Sequence, residues 1–177
     1  IYTVKPEYAA VEGSSMYLQA GERLSLRDTL YGLMLASGND AAVAIAGECG
    51  GMSAFVGKMN AKAAELGLTD THFDNPNGLP SDTHYTTAHE LAKITAAALK
   101  DPVFRRIVAT KSCTVSGHTL TNHNRLLSMY DGAVGVKTGF TRAAGRCLVS
   151  AAERNGRTLI AVTLNDPNDW NDHMEML

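Results

Sequence analysis

The spacing of apolar residues divides the chain into a helical middle and a strand-rich end. Leu26, Leu30, Leu33 and Met34 recur at helical steps. They predict a helix opened by Ser25, with Asp28 three places on completing an N-terminal capping pattern. The periodicity breaks at Ser37-Gly38-Asn39. A second helix is expected through Ala41 to Ala46, capped by Asp40 and ended by Gly47, Gly50 and Gly51. Ser53 starts a third, with Phe55, Met59 and Ala63 on one face and Gly67 just past its end. Residues 69–86 are rich in turn formers, Asn75-Pro76-Asn77-Gly78 and Pro80 among them, and read as a loop. Thr87 and Glu90 open a helix through Leu91, Ile94 and Leu99, and Asp101-Pro102 resets the chain into a shorter one around Val103 to Ala109.

The remainder alternates differently. Cys113 to Ser116 and His118 to Asn122 flank Gly117 as a hairpin. Val134-Gly135-Val136 is a short apolar strand leading into Lys137. Cys147 to Ala152 and Thr158 to Leu164 surround Asn155-Gly156, a pair suited to the positive φ angles of a type I′ turn. A terminal helix begins near Trp170, and residues 1–24 read as short strands and turns. Helices followed by antiparallel strands predict an α+β domain, a sheet covered by helices.

Composition narrows this little. The 177 residues fit one domain, 45% hydrophobic and 19% charged. A net charge of −2 gives no electrostatic footprint for nucleic acid or an anionic membrane. No apolar run approaches the roughly 18–20 residues of a membrane span. The start at Ile1, directly in a strand-like stretch, reads as processed or truncated. Cys49, Cys113 and Cys147 fit no zinc spacing and read as small apolar core residues, with one disulfide as the alternative. His84/His89 and His118/His123 are each spaced five apart, not the four of a helical metal site.

Two short motifs carry the chemistry. Ser, Gly and Asn in succession are poor for a helix interior, a cost that makes sense if a turn must aim Ser37 and Asn39 into a cleft. A hydroxyl there relays a proton, and an amide holds both a lysine and a substrate carbonyl. Lys137-Thr138-Gly139 ends a strand. Lys137 offers a positive charge to a carboxylate, Thr138 a hydroxyl, and Gly139 room for a substrate backbone. The N–H of Phe140 would then be available to an oxyanion. Alone, each motif has a plainer reading, a helix–helix turn and a solvated lysine.

Taken in order and at this spacing, the motifs and their surroundings closely resemble the low-molecular-weight penicillin-binding proteins, the serine-type D-alanyl-D-alanine carboxypeptidases. The similar stretches are residues 30–46, 55–68, 71–79 and 131–149, with Asn122 to Leu127 similar to the family's asparagine–leucine-leucine segment. Within the family the chain looks most like the sporulation-type members of Gram-positive bacteria. The resemblance implies the penicillin-binding-protein/β-lactamase-like transpeptidase fold, and a single, incomplete catalytic domain over 1–177. It also implies removal of the terminal D-alanine from peptidoglycan stem peptides through an acyl-enzyme, with β-lactams as covalent inhibitors and neither metal nor cofactor. Ser37, Asn39 and Lys137 would be catalytic. Gly38, Thr138, Gly139, Phe140 and Thr141 would bind substrate. The work would take place outside the cytoplasmic membrane, with any tether lying outside this chain.

The chain departs from the family in two ways. Its nucleophile motif, Ser-x-x-Lys, occurs nowhere in the 177 residues, so this chain alone is expected to be inactive. The missing segment should also supply a helix and a sheet strand, leaving core surface and a strand edge exposed. Some relatives also use an arginine near the last strand. Residues 165–170 here contain none, and although Arg142, Arg146, Arg154 and Arg157 are nearby in sequence, none is assigned that role, so carboxylate binding is expected to rest mainly on Lys137 and the threonines. A class A β-lactamase would carry Ser-Asp-Asn and a deacylating glutamate, of which there is no counterpart between Asn39 and Lys137. A non-catalytic peptidoglycan- or β-lactam-binding module is the alternative of a different class.

Overall fold

A computed structural model describes residues 1–177. The chain opens with β1 (Tyr2–Thr3), α1 (Pro6–Ala9) and β2 (Arg23–Leu24), β1 and β2 pairing antiparallel. The helical middle is α2 (Leu26–Leu35), α3 (Asn39–Glu48), α4 (Met52–Glu65), α5 (Ala88–Ala98) and α6 (Pro102–Ala109). Then come the hairpin β3 (Ser112–Val115) and β4 (His118–Thr121), and the single turn α7 (Leu126–Met129). The chain closes with β5 (Ala133–Thr141), β6 (Gly145–Arg154), β7 (Arg157–Leu164) and α8 (Asp169–Met176). No helix is long and apolar enough to cross a membrane.

The expected α+β arrangement is present. β5, β6 and β7 form an antiparallel sheet in sequence order. Val149 and Ala151 of β6 meet Leu99 and Val108 from the α5–α6 region on one face. Ser150 points to the opposite face, as strand alternation requires, and meets the buried His173 of α8. Thr163 of β7 holds the other nitrogen of the same imidazole at 3.0 Å. A second core lies in the helical half, where Leu24, Leu35, Ala41 and Ala44 close over Val4, Tyr8 and Met16. Burying each large side chain contributes roughly 1.5–3 kcal/mol. β5 and β7 are both edge strands, and Leu159 and Leu164 of β7 are exposed.

Several local expectations change. Ser25 caps α2 as predicted, its side chain accepting the Asp28 N–H at 3.0 Å. Asp40 does not cap α3. Gly38 takes that position, and the Asp40 carboxylate is occupied instead by the backbone of Met16 and Leu18. Gly47 lies inside α3 rather than ending it, and a Cβ there would strike the Tyr8 ring, so the position takes glycine for packing. Gly51, not Ser53, precedes α4. Thr87 caps α5, but the Glu90 carboxylate turns to the loop and accepts from Thr69 N, Asp70 N and Thr71 Oγ1. The three cysteines are unpaired and half-buried rather than core residues, with Cys113 packed against the helical core. Residues 1–24 include a helical turn, α1, set by Pro6 at its first position. At the Asn155-Gly156 turn both φ angles are positive, 52° and 73°, as the hairpin reading requires.

Candidate active site

The turn between α2 and α3 is built to present side chains. Ser37 lies in the left-handed region at φ 57°, an unusual place for a residue that is not glycine. Such a conformation costs about 1 kcal/mol or more and persists because its surroundings hold it. Gly38 follows with its N–H donating to the Gly32 carbonyl at 3.2 Å. A Cβ on Gly38 would meet Asp40 and the backbone of Met16, so glycine lets the 12–18 segment close over the start of α3. Asn39 is 8% exposed. Its backbone N–H donates to Ser14 O at 2.7 Å and its side-chain Nδ2 to Glu12 O at 2.8 Å.

The β5 strand brings Lys137 to this turn from 100 positions away, its Nζ donating to Ser37 Oγ at 2.8 Å. Nζ also donates to the carbonyl of Thr138 at 2.7 Å. Because Lys137 fills one acceptor site on Ser37, the serine's own O–H is free to donate onward. Lys137 as a whole is half-buried, but its ammonium has exchanged water for two protein oxygens. Burial lowers its pKa from the ordinary 10.5 to about 8. The sign follows directly. A folded pKa below the unfolded value penalises folding while the lysine is charged, and that penalty is relieved as pH rises from about 8 to 10.5. Titration of the lysine side chains by NMR is therefore expected to show one with a midpoint near 8, assigned to Lys137. A Lys137 midpoint of about 10 or above would mean that the ammonium stays hydrated.

These residues line a cavity of about 460 Å³. Ser37, Asn39, Lys137, Thr138, Gly139, Phe140 and Thr141, all expected from the sequence, share it. Gly38 does not line it and acts through packing beneath. Phe140 is 70% exposed at the rim. Thr141 Oγ1 accepts the Ala144 N–H at 2.9 Å, bracing the β5–β6 turn.

Sequence reasoning missed the rest of the wall. Ser14, read only as part of a turn, enters beside Ser37. The loop 69–86 contributes Phe73, Asn75 to Leu79 and His84. It is ordered by Asn60, whose side chain bonds both backbone groups of Phe73, and by Asn75, whose Oδ1 accepts the Gly78 N–H at 2.7 Å. A smaller lobe of about 290 Å³ continues past Thr138 and Gly139 to Arg146 and Trp170. Asp169 grips Arg146 there through Nε at 3.2 Å and Nη2 at 2.7 Å. Of the four arginines that the sequence left unassigned, Arg146 is the one in the lobe.

The model of the family described as D-alanyl-D-alanine carboxypeptidase (Peptidase_S11) matches residues 3–168. The chain belongs to the D-alanyl-D-alanine carboxypeptidase family. The D-alanyl-D-alanine carboxypeptidase of Streptomyces sp. (strain K15) is 43% identical over 168 residues, covering 85% of this chain and 58% of the relative. The D-alanyl-D-alanine carboxypeptidase DacB2 of Mycobacterium tuberculosis is 44% identical over 149 residues, covering 81% of this chain and 51% of the relative. The chain thus spans little more than half the length of these curated relatives. Among solved structures, the D-alanyl-D-alanine carboxypeptidase of Mycobacterium tuberculosis superposes with a TM-score of 0.91 at 37% identity, over 98% of this chain and 70% of that one. The Streptomyces DD-transpeptidase superposes with a TM-score of 0.86 at 39% identity, over 92% and 70%. The carboxypeptidase family's overall fold is therefore the fold seen here.

Proposed function

We propose that these 177 residues form the larger part of the catalytic domain of a penicillin-sensitive serine D-Ala-D-Ala carboxypeptidase. It works on peptidoglycan stem peptides outside the cytoplasmic membrane. The nucleophilic serine and the lysine three places after it come from a segment outside these residues, which also pairs with the β7 edge of the sheet, where Leu159 and Leu164 are exposed. The serine attacks the carbonyl between the two terminal D-alanines while that lysine takes its proton. Ser37 passes a proton to the departing D-alanine. Asn39 has committed one Nδ2 hydrogen to Glu12 O, and its Oδ1 would orient the incoming lysine. Lys137, Thr138 and Thr141 receive the terminal carboxylate, and Gly139 lets the peptide lie against β5. Water then releases the acyl-enzyme.

The observation that carries this reading is the Lys137–Ser37 contact at 2.8 Å, which joins the two motifs at one cavity. A lysine with a pKa near 8 holds a charge for the carboxylate at neutral pH and stays able to exchange a proton with the serine. The test is a denaturing intact mass spectrum of the purified protein with and without benzylpenicillin. An adduct on a second, smaller peptide that co-purifies is expected for a complete site. No adduct is expected for the 177 residues alone. An adduct on this chain would overturn the assignment of the nucleophile. A longer encoded protein without Ser-x-x-Lys would favour a non-catalytic binding module.

A second reading concerns only the acceptor. The Streptomyces neighbour is described as a DD-transpeptidase. Transfer of the acyl group to an amine instead of water would use the same site. Products formed in the presence of a D-amino acid distinguish the two.

A further inference from the structure

One group on the cavity wall has no task in the mechanism above. His84 lines the cavity together with Lys137, Thr138 and Gly139. Its Nδ1 accepts the backbone N–H of Asp74 at 3.1 Å. Its ring stands edge-on to Phe73, with centroids 5.7 Å apart. A ring nitrogen that accepts a hydrogen bond carries no proton, so the neutral imidazole holds its hydrogen on Nε2. Burial pushes His84 below the usual histidine range against the opposing pull of Asp74, so the neutral ring is the resting form. That Nε2–H finds no acceptor within the chain, in contrast to Nδ1. A half-buried donor at a cleft gains by meeting one.

The opposing surface supplies the geometry. β5 is an edge strand, and Gly139 and Phe140 leave its outer part open. A peptide that adds to such an edge spends alternate backbone groups on the strand and turns the others away from it. We propose that His84 donates its Nε2–H to one of those outward carbonyls of the stem peptide, clamping the peptide between the 69–86 loop and β5. This rests on the carboxypeptidase reading and adds to it a substrate-contacting residue. The partner chemistry is specific. A neutral donor with the Asp74 carboxylate beside it suits an uncharged amide carbonyl and disfavours a carboxylate at the same place.

Two substitutions separate the ring's two nitrogens. Asparagine places an acceptor near the Nδ1 position and its NH2 near the Cδ2 position, so His84→Asn keeps the Asp74 contact and has no donor at the Nε2 position. Glutamine reaches the Nε2 position, so His84→Gln keeps a donor. The probe is an N-acetylated tripeptide ending in D-Ala-D-Ala, titrated by NMR into the isotope-labelled protein that carries its Ser-x-x-Lys segment, with that serine replaced by alanine to block turnover, and into both His84 variants of it. Expected is a shift of the His84 Nε2–H signal together with the Thr138 and Gly139 amides. Expected also is binding weakened about five- to tenfold in His84→Asn, the scale of one hydrogen bond, and within about twofold of the parent in His84→Gln. An unmoved Asp74 amide in free His84→Asn shows that the loop is intact. The proposal is overturned if Thr138 and Gly139 respond while the Nε2–H does not, or if His84→Asn binds like the parent. The carboxypeptidase reading survives that outcome. If no β5 amide responds at saturating peptide, that reading fails and the proposal falls with it.

Discussion

Replacing Lys137 with alanine, in a protein that carries its nucleophile, is expected to slow acylation by benzylpenicillin about 10²–10³-fold, the range seen when one preorganised electrostatic group is removed from a reaction site. The size follows from the position of the charge. Nζ lies inside a cavity, bonded to Ser37 Oγ at 2.8 Å and Thr138 O at 2.7 Å, so its field is poorly screened where the substrate carboxylate would lie. Alanine removes that charge and leaves Ser37 without the donor that orients its hydroxyl. Binding and proton transfer should therefore fall together, with KM and kcat both affected. Arginine should not rescue. Its guanidinium stays charged at every accessible pH, whereas Lys137 titrates near 8 and fits a single hydroxyl as a compact donor. The measurement is the rate of adduct formation followed by intact mass. A rate unchanged within about threefold would remove Lys137 from the site, since even one ordinary hydrogen bond is worth that much.

Ser-Gly-Asn was legible because it breaks a local rule, being poor for a helix interior, and so marks a position chosen for something else. Lys137, expected to end a strand, lies in the middle of β5 instead, because the strand runs on to Thr141; only its pairing in order with Ser-Gly-Asn singled it out. The strand pattern and the Asn155-Gly156 turn placed the β6–β7 hairpin, since turn chemistry is local. What stayed hidden is what depends on the third dimension. His84 and Asn75 look like ordinary loop residues until Asn60 and Glu90, on two different helices, bind the loop in place. Ser14 and Arg146 lie far apart in sequence, and no periodicity says that both will flank Thr138. Glu90 shows the reason. In sequence it completes a capping box, but burial brings three loop donors within its reach, and they outcompete one helix N–H.

Asp40 makes the same point and yields the largest expected effect on stability. Its position after Ser37-Gly38-Asn39 suggested a cap, yet its carboxylate is 1% exposed and works across the chain. Oδ1 accepts the Met16 N–H at 3.0 Å. Oδ2 accepts the Leu18 N–H at 3.0 Å and the Ser15 hydroxyl at 2.6 Å. The negative charge also lies in the first turn of α3, where the helix dipole favours it. Asp40→Ala would strand two buried backbone donors and one hydroxyl, at about 1–3 kcal/mol for each donor left unpaired. A total cost of about 3–5 kcal/mol is expected, a large share of the roughly 5–15 kcal/mol that holds a domain together. For a chain of this size the melting temperature should fall by about 8–15 °C. Asp40→Asn keeps one accepting oxygen and should lose about half as much. The consequence reaches the site, because the segment that Asp40 holds carries Ser14 into the cavity wall and meets Asn39 through Glu12. Thermal melts of the two variants followed by circular dichroism provide the check. An Asp40→Ala melt within about 2 °C of the parent would mean that water, not Asp40, satisfies the Met16 and Leu18 amides.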